Sequence, residues 1–351
     1  MNHHAAVLAL LSAALFGVST PAAKALLGSI DPAVLAGLLY IGAGIGIAVL
    51  RRVAKPLAFP KAAIETPLGR GDLPWLAGAI VAGGIIGPVL LMIGLSRTDA
   101  AAASLLLSLE GVATALLAWF VFHESFDRRI AIGMACLVAG AVVLSWTGQP
   151  TLSGMIGPIA IVGACVFWGL DNNLTRKVSL ADPLQIVELK GLIAGPVNLT
   201  LGLLAGGSLP PLSPLVVAGI VGFVGYGVSL ALFVMALRHL GTARTGAYFS
   251  TAPFLGTVAA ILFLHEPVTV QLLSAGLLMA IGVWLHLTED HQHDHDHNLM
   301  EHSHPHVHDA HHQHAHGADD PPDEPHTHIH RHEPLRHTHP HVPDMHHVHR
   351  H

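Results

Sequence analysis

The sequence predicts an all-α, polytopic membrane protein: ten transmembrane helices in two inverted five-helix repeats, followed by a disordered tail. Three observations predict it. Charge is scarce and unevenly spread, apolar stretches of membrane-spanning length recur along the chain, and a long stretch of the first half repeats in the second.

Of the 351 residues, 52% are hydrophobic and 11% charged, whereas soluble domains carry about 25% charged residues. Residues 1–288 hold 14 Lys/Arg and 11 Asp/Glu; residues 289–351 hold 3 and 12, together with 23 of the 29 histidines. A boundary near Thr288 therefore separates an apolar body from a polar tail. Cys136 and Cys165 lie in apolar runs, form no C-x-x-C pair and read as small packing residues. No Lys or Arg precedes the first apolar run, which extends from Ala5 to Leu27 with Lys24 near its end. That pattern suits a spanning helix better than a signal peptide.

A spanning helix needs about 17–25 mainly apolar residues. Ten segments approach this: 5–27, 33–50, 73–95, 100–122, 129–147, 155–174, 184–205, 214–236, 243–264 and 268–287. Asp31-Pro32, Gly148-Gln149-Pro150, Asp182-Pro183, Gly206-Gly207 with Pro210-Pro211, and Glu266-Pro267 punctuate them with turn chemistry that a helix cannot continue through. Loop charge then fixes the orientation. The even-numbered connections carry Arg51, Arg52, Lys55, Lys61, Arg70, Arg128, Arg129, Arg176, Lys177, Arg238 and Arg244, whereas the odd-numbered ones carry only Arg97. The positive-inside rule places the even connections and both termini in the cytoplasm, and the body in an inner (plasma) membrane.

Gly94 to Val143 aligns without gaps on Ala236 to Leu285 at an offset of 142, with His123-Glu124 falling on His265-Glu266. Phe16-Gly17 matches Trp168-Gly169, and Asp31-Pro32 matches Asp182-Pro183. The repeats are 5–147 and 154–287, with the tail at 289–351. Five helices is an odd number, so the second repeat enters the membrane inverted. Two near-equivalent halves support two near-equivalent conformations, the arrangement of secondary transporters.

The stretch SLLLSLEGVATALLAWFVFHE (residues 104–124), the ten spans and the two repeats resemble the drug/metabolite transporter superfamily, EamA type. The resemblance covers residues 5–287. It implies a transporter rather than an enzyme, moving small organic solutes. One position departs from the family pattern: Gly111 stands where a proline is usual, and the second half keeps Pro253.

A charge at the bilayer centre costs about 2.5–3.5 kcal/mol on insertion scales, so intramembrane charges mark candidate transport-path residues. Glu110 sits near the midplane of the fourth span and reads either as a proton-titrating, coupling carboxylate or as a packing carboxyl. Asp171, Asn172 and Asn173 form an acceptor-rich cluster late in the sixth span, read as a solute or gate site or as a wetted helix end. Lys190 either pairs with Asp171 or binds an anionic solute group. Glu188, two residues away, lies on another helix face. Lys24 lies near enough to a helix end to snorkel. The glycines at 42, 44 and 46, at 83, 84 and 87, and at 222, 225 and 227 read as close-packing points or bends. His123-Glu124 and His265-Glu266 lack the second histidine of a metalloprotease helix, and no catalytic pair or cofactor motif is present.

The tail alternates histidine with carboxylates and cannot form a packed core. His291, His293, His295, His297, His302, His304, His306, His308, His326, His328, His330 and His332 offer many interchangeable imidazole ligands for a divalent metal such as Zn or Ni. The body requires no cofactor.

Together these features predict a secondary active transporter, an exporter of a small metabolite by alternating access with a cytoplasmic metal-binding tail. Its partners are membrane lipid, a small-molecule solute and divalent metal ions, with no role for nucleic acid. Two alternatives stand beside it: a divalent metal-ion (Zn, Ni or Co) transporter fed by the tail, and a membrane-anchored metal storage or sensor protein.

Overall fold

A computed structural model describes residues 3–54, 68–121, 128–146, 152–178, 181–233, 235–236, 245 and 248–287 of the body. In the tail it describes 292–296, 300–306, 326–332 and 336–340. The body is all helical. Its elements are α1 (His3–Leu26), α2 (Pro32–Ala54), α3 (Leu73–Ser96), α4 (Ala100–Phe120), α5 (Arg128–Ser145), α6 (Leu152–Lys177), α7 (Pro183–Leu204), α8 (Leu212–Phe233), α9 (Ala252–Leu264) and α10 (Val270–Leu287). The first eight are long and apolar enough to cross a membrane, and α9 and α10 are shorter apolar helices.

The punctuation read from the sequence acts as capping chemistry. The Asp182 carboxylate accepts from the Leu184 and Gln185 amides at 2.9 and 3.3 Å and starts α7. His265, in the left-handed region at φ 55°, ends α9. In the ninth span residues 245 and 248–249 are helical, the backbone turns at Ser250–Thr251, and the helix resumes as α9 at Ala252.

Small residues set the packing. Without a hydrophobic force between helices in lipid, close backbone approach supplies much of the attraction. α2 runs along α7 on glycines of both helices: a Cβ at Gly44 would meet the backbone of Gly191 and Leu192, and one at Gly195 would meet Ile41. α2 also lies against α8, where a Cβ at Gly42 would overlap Gly219 and one at Gly222 would overlap Leu39. α5 and α10 pair through Gly140 against Met279 and Ala275, and Gly282 against Gly133.

Loop contacts sort by end. At the odd-loop end, the Lys24 Nζ donates to the Leu95 and Thr98 carbonyls at 2.7 and 2.8 Å. There too, the Asp31 carboxylate accepts from the Ser208 amide, and Gln271 of α10 donates to the carbonyls of Val143 and Trp146 at the end of α5. At the even-loop end, Arg51 bridges to Asp182 at 2.8 Å and to Glu188. None of these contacts joins the two ends, as alternating spans require. Lys24 thus caps the carbonyl end of α3 at that same end.

In the tail, 292–296 pairs antiparallel with 336–340, and 300–306 with 326–332. These are two separate two-stranded ladders, an arrangement marginal by itself in water.

Candidate functional site

Four helices are interrupted at depths related by the repeat. α3 loosens into a π-helical turn over Ile80–Ile86, and α8 does the same over Gly222–Val228. The two segments differ by 142 residues, the offset of the sequence repeat. α4 breaks at Leu107–Ser108, where the Leu107 and Ser108 amides bond three residues back, to Ser104 and Leu105. The chain entering α9 breaks at Ser250–Thr251 in the same manner, with the Thr251 amide bonded to the Tyr248 carbonyl. π-turns and broken helices free backbone groups and are frequent at functional sites.

The freed groups in α3 have identifiable partners. Pro88 has no N–H to offer the carbonyls of Gly83 and Gly84. The Gly83 carbonyl instead accepts from the Tyr40 hydroxyl at 2.7 Å and the Trp168 indole N–H at 3.0 Å. The Gly84 carbonyl accepts from the Asn198 amide at 2.9 Å. Side chains of α2, α6 and α7 thus converge on one turn of α3. Gly83 must be glycine here, because a Cβ would overlap the Asp171 carboxyl.

Aromatic rings gather at the same depth. Phe16 of α1 meets Trp168 edge-on at 6.4 Å, Tyr226 at 5.9 Å and Phe249 at 5.4 Å. Tyr40 lies 5.8 Å from Tyr226. Phe16, Tyr40, Tyr226 and Phe249 are only partly buried.

The polar residues picked out by the sequence separate into three sets. Lys190 donates to both carboxylate oxygens of Asp171 at 2.6 Å, and Thr175 adds a 2.8 Å bond to the same group. This is the interhelical pairing read from the sequence as one of two options. Glu110 accepts from the Asn172 amide at 2.9 Å, and Thr114 lies 3.2 Å from the same nitrogen. Asn173 holds α6 against α4 by donating to the Thr114 carbonyl at 3.1 Å, and it also donates to the Gly169 carbonyl of its own helix. Glu188 stands apart, bound to Arg51 at the even-loop end. Asp171 and Asn173 are 8% and 5% exposed, so the wetted-helix-end reading of that cluster does not hold for these two.

One face of α4 changes surroundings along its length. Ser104 is buried against Gly256 of α9, and α9 in turn is buried against Gly17 of α1. Seven residues later, two turns on and on the same face, a Cβ at Gly111 would meet nothing within 4 Å. α4 therefore packs tightly on α1 and α9 in its odd-loop half and parts from them below its break. The Glu266 carboxylate reinforces the packed half by accepting from the Ala100 and Ala101 amides at 2.7 Å each, the free N–H groups at the start of α4. The Thr257 hydroxyl adds a bond to the Ala101 carbonyl.

Sequence reasoning missed the roles of Tyr40, Trp168, Asn198 and Glu266. The Gly-Gly pair followed by a proline at Gly83-Gly84 and Pro88 was the signal for the first three. His291, His297 and His308 lie outside the described residues, and the other nine candidate metal ligands lie on the paired tail strands.

Known proteins share this architecture. The family model of the EamA-like transporter family matches residues 3–146 and 155–288. An uncharacterized transporter of Methanothermobacter thermautotrophicus is 29% identical over 77% of this chain and 82% of its own. A probable amino-acid metabolite efflux pump of Salmonella typhimurium is 26% identical over 82% and 96%. A crystal structure superposes with a TM-score of 0.59 over 81% of this chain and 96% of its own at 18% identity, which shows the fold alone. With two matched halves spanning the ten-helix body, the chain belongs to the EamA-like transporter family, a multi-pass membrane transporter and not an enzyme.

Proposed function

We propose that the protein exports a small metabolite by alternating access, driven by a proton gradient that titrates Glu110. The observation that carries this reading is the set of four repeat-related helix breaks around one midplane site, packed shut on the odd-loop side and open beside Gly111. Inverted halves exchange such roles when the carrier rocks. The loop-charge count supports a cytoplasmic even-loop end, so the described state is read as inward-facing. The efflux pump named among the relatives supports export.

The test is transport in reconstituted vesicles carrying an imposed pH gradient, using a pool of radiolabelled metabolites. Glu110→Gln is expected to abolish gradient-driven movement while the protein remains folded in the membrane. Wild-type rates in that variant would refute the coupling role.

The tail's proposed role is metal capture, supported by its alternating histidines. Full-length protein is expected to bind several Zn or Ni ions in a calorimetric titration, and a chain ending at Leu287 none above background. Equal binding by the two would remove the tail from the account.

A further inference from the structure

We infer that Glu110 is the seat for a protonated amine, and that the solute is an organic cation with an apolar or aromatic body. This rests on the carrier reading above and deepens it by naming the substrate class.

The charge count around the midplane carries the inference. Two carboxylates and one ammonium lie about the contact of α4, α6 and α7: Glu110, held by Asn172 of α6, and Asp171, the residue before Asn172, paired with Lys190 of α7. Lys190 is committed to Asp171, with its ammonium 2.6 Å from each oxygen and the Thr175 hydroxyl 3.5 Å away. That pair is internally neutral. Glu110 is left with neutral donors only. Its Oε1 accepts from the Asn172 amide, and its Oε2 has no hydrogen bond among the described residues. The site is one positive charge short.

A lone carboxylate in a membrane interior is costly, and a proton or a cation must meet it. The surroundings leave room for a cation. Gly111, next in the chain, faces open space, and Asn172 is exposed. A proline or any larger residue at 111 would intrude on that space.

The aromatic cluster says what the rest of the solute is. Trp168 lies one helical turn from Asn172 on α6, so the two share a face. The rings of Phe16, Tyr226 and Phe249 continue from Trp168 across α1, α8 and the start of α9. Ring faces attract a cation and bury an apolar body. An anionic solute would meet Glu110 with no free cation beside it, because Lys190 is already paired. A neutral solute would leave Glu110 to be met by a proton alone.

Equilibrium binding to the purified full-length protein in lipid nanodiscs tests this with three isosteric probes: phenethylamine, 2-phenylethanol and phenylacetate. Quenching of tryptophan fluorescence gives the readout. Phenethylamine is expected to bind at least tenfold more tightly than either other probe. Glu110→Gln is expected to remove that preference, and Glu110→Asp, which keeps the charge, to retain most of it. A preference for phenylacetate, equal binding of all three probes, or an amine preference that survives Glu110→Gln overturns the inference. The same variants in the vesicle assay separate the two failures. If Glu110→Gln stops gradient-driven transport but leaves amine binding unchanged, the carrier reading stands and the amine seat falls. If neither changes, both fall.

Discussion

Replacing Lys190 by methionine tests the polar centre most sharply. The substitution keeps an unbranched chain, one atom shorter, and removes its charge. Asp171, with its side chain 11% exposed, then loses both 2.6 Å charge-assisted bonds and keeps only the neutral Thr175 hydroxyl at 2.8 Å. Breaking a buried pair by removing one partner costs about 3–5 kcal/mol, because the other charge stays behind unpaired. That is a factor of roughly 10²–10⁴ in the folding equilibrium. Asp171→Asn leaves Lys190 in the reciprocal position and carries a comparable cost. The double variant Lys190→Met with Asp171→Asn removes both charges at once, and replacing a whole buried pair is often close to neutral. The assay is denaturant unfolding in detergent micelles, followed by tryptophan fluorescence and read as a double-mutant cycle. The expected result is two unstable single variants and a double variant near wild type. A double variant as unstable as the two singles combined refutes the reasoning, because it shows that the two groups do not answer each other.

Two further predictions concern the packed half of the bundle. Glu266→Gln keeps one acceptor but loses the charge that draws the Ala100 and Ala101 amides. Hydrogen bonds to charged groups contribute about 1.5–3 kcal/mol each, so the odd-loop end should open at least several-fold more often. Maleimide labelling of a cysteine placed at the fully buried Ala103 reads this, and an unchanged labelling rate argues against a latch. Gly44→Leu would drive a side chain into the backbone of Gly191 and Leu192, where even a Cβ comes within 2.6 Å. Overpacking of this kind costs about 1–3 kcal/mol or more; an unchanged melting temperature in detergent would show that α2 and α7 are not held by close approach.

The number and order of the spans were legible because each rests on local composition. A run of apolar residues such as Pro32–Val53 must be a helix in a membrane whatever surrounds it. Asp182-Pro183 fixed a helix start for the same reason, since an N-cap acts within its own first turn. The break before α9 was hidden inside an apolar run, and apolarity does not distinguish a straight span from a turn.

By itself the sequence determined ten apolar spans, their alternation, the inverted repeat and the residues too polar to lie in lipid without a purpose. Tertiary structure decided which of those residues answer one another. Lys190 had two open readings until α6 and α7 brought it to Asp171. Glu188 shares that stretch of α7 but belongs to Arg51, and Lys24 meets the carbonyl end of α3. The physical reason is that lipid is as apolar as leucine, so hydrophobicity puts helices into the membrane without choosing their neighbours. Neighbours are chosen by glycine contacts and polar pairs between distant parts of the chain, and those distances exist only in the folded protein.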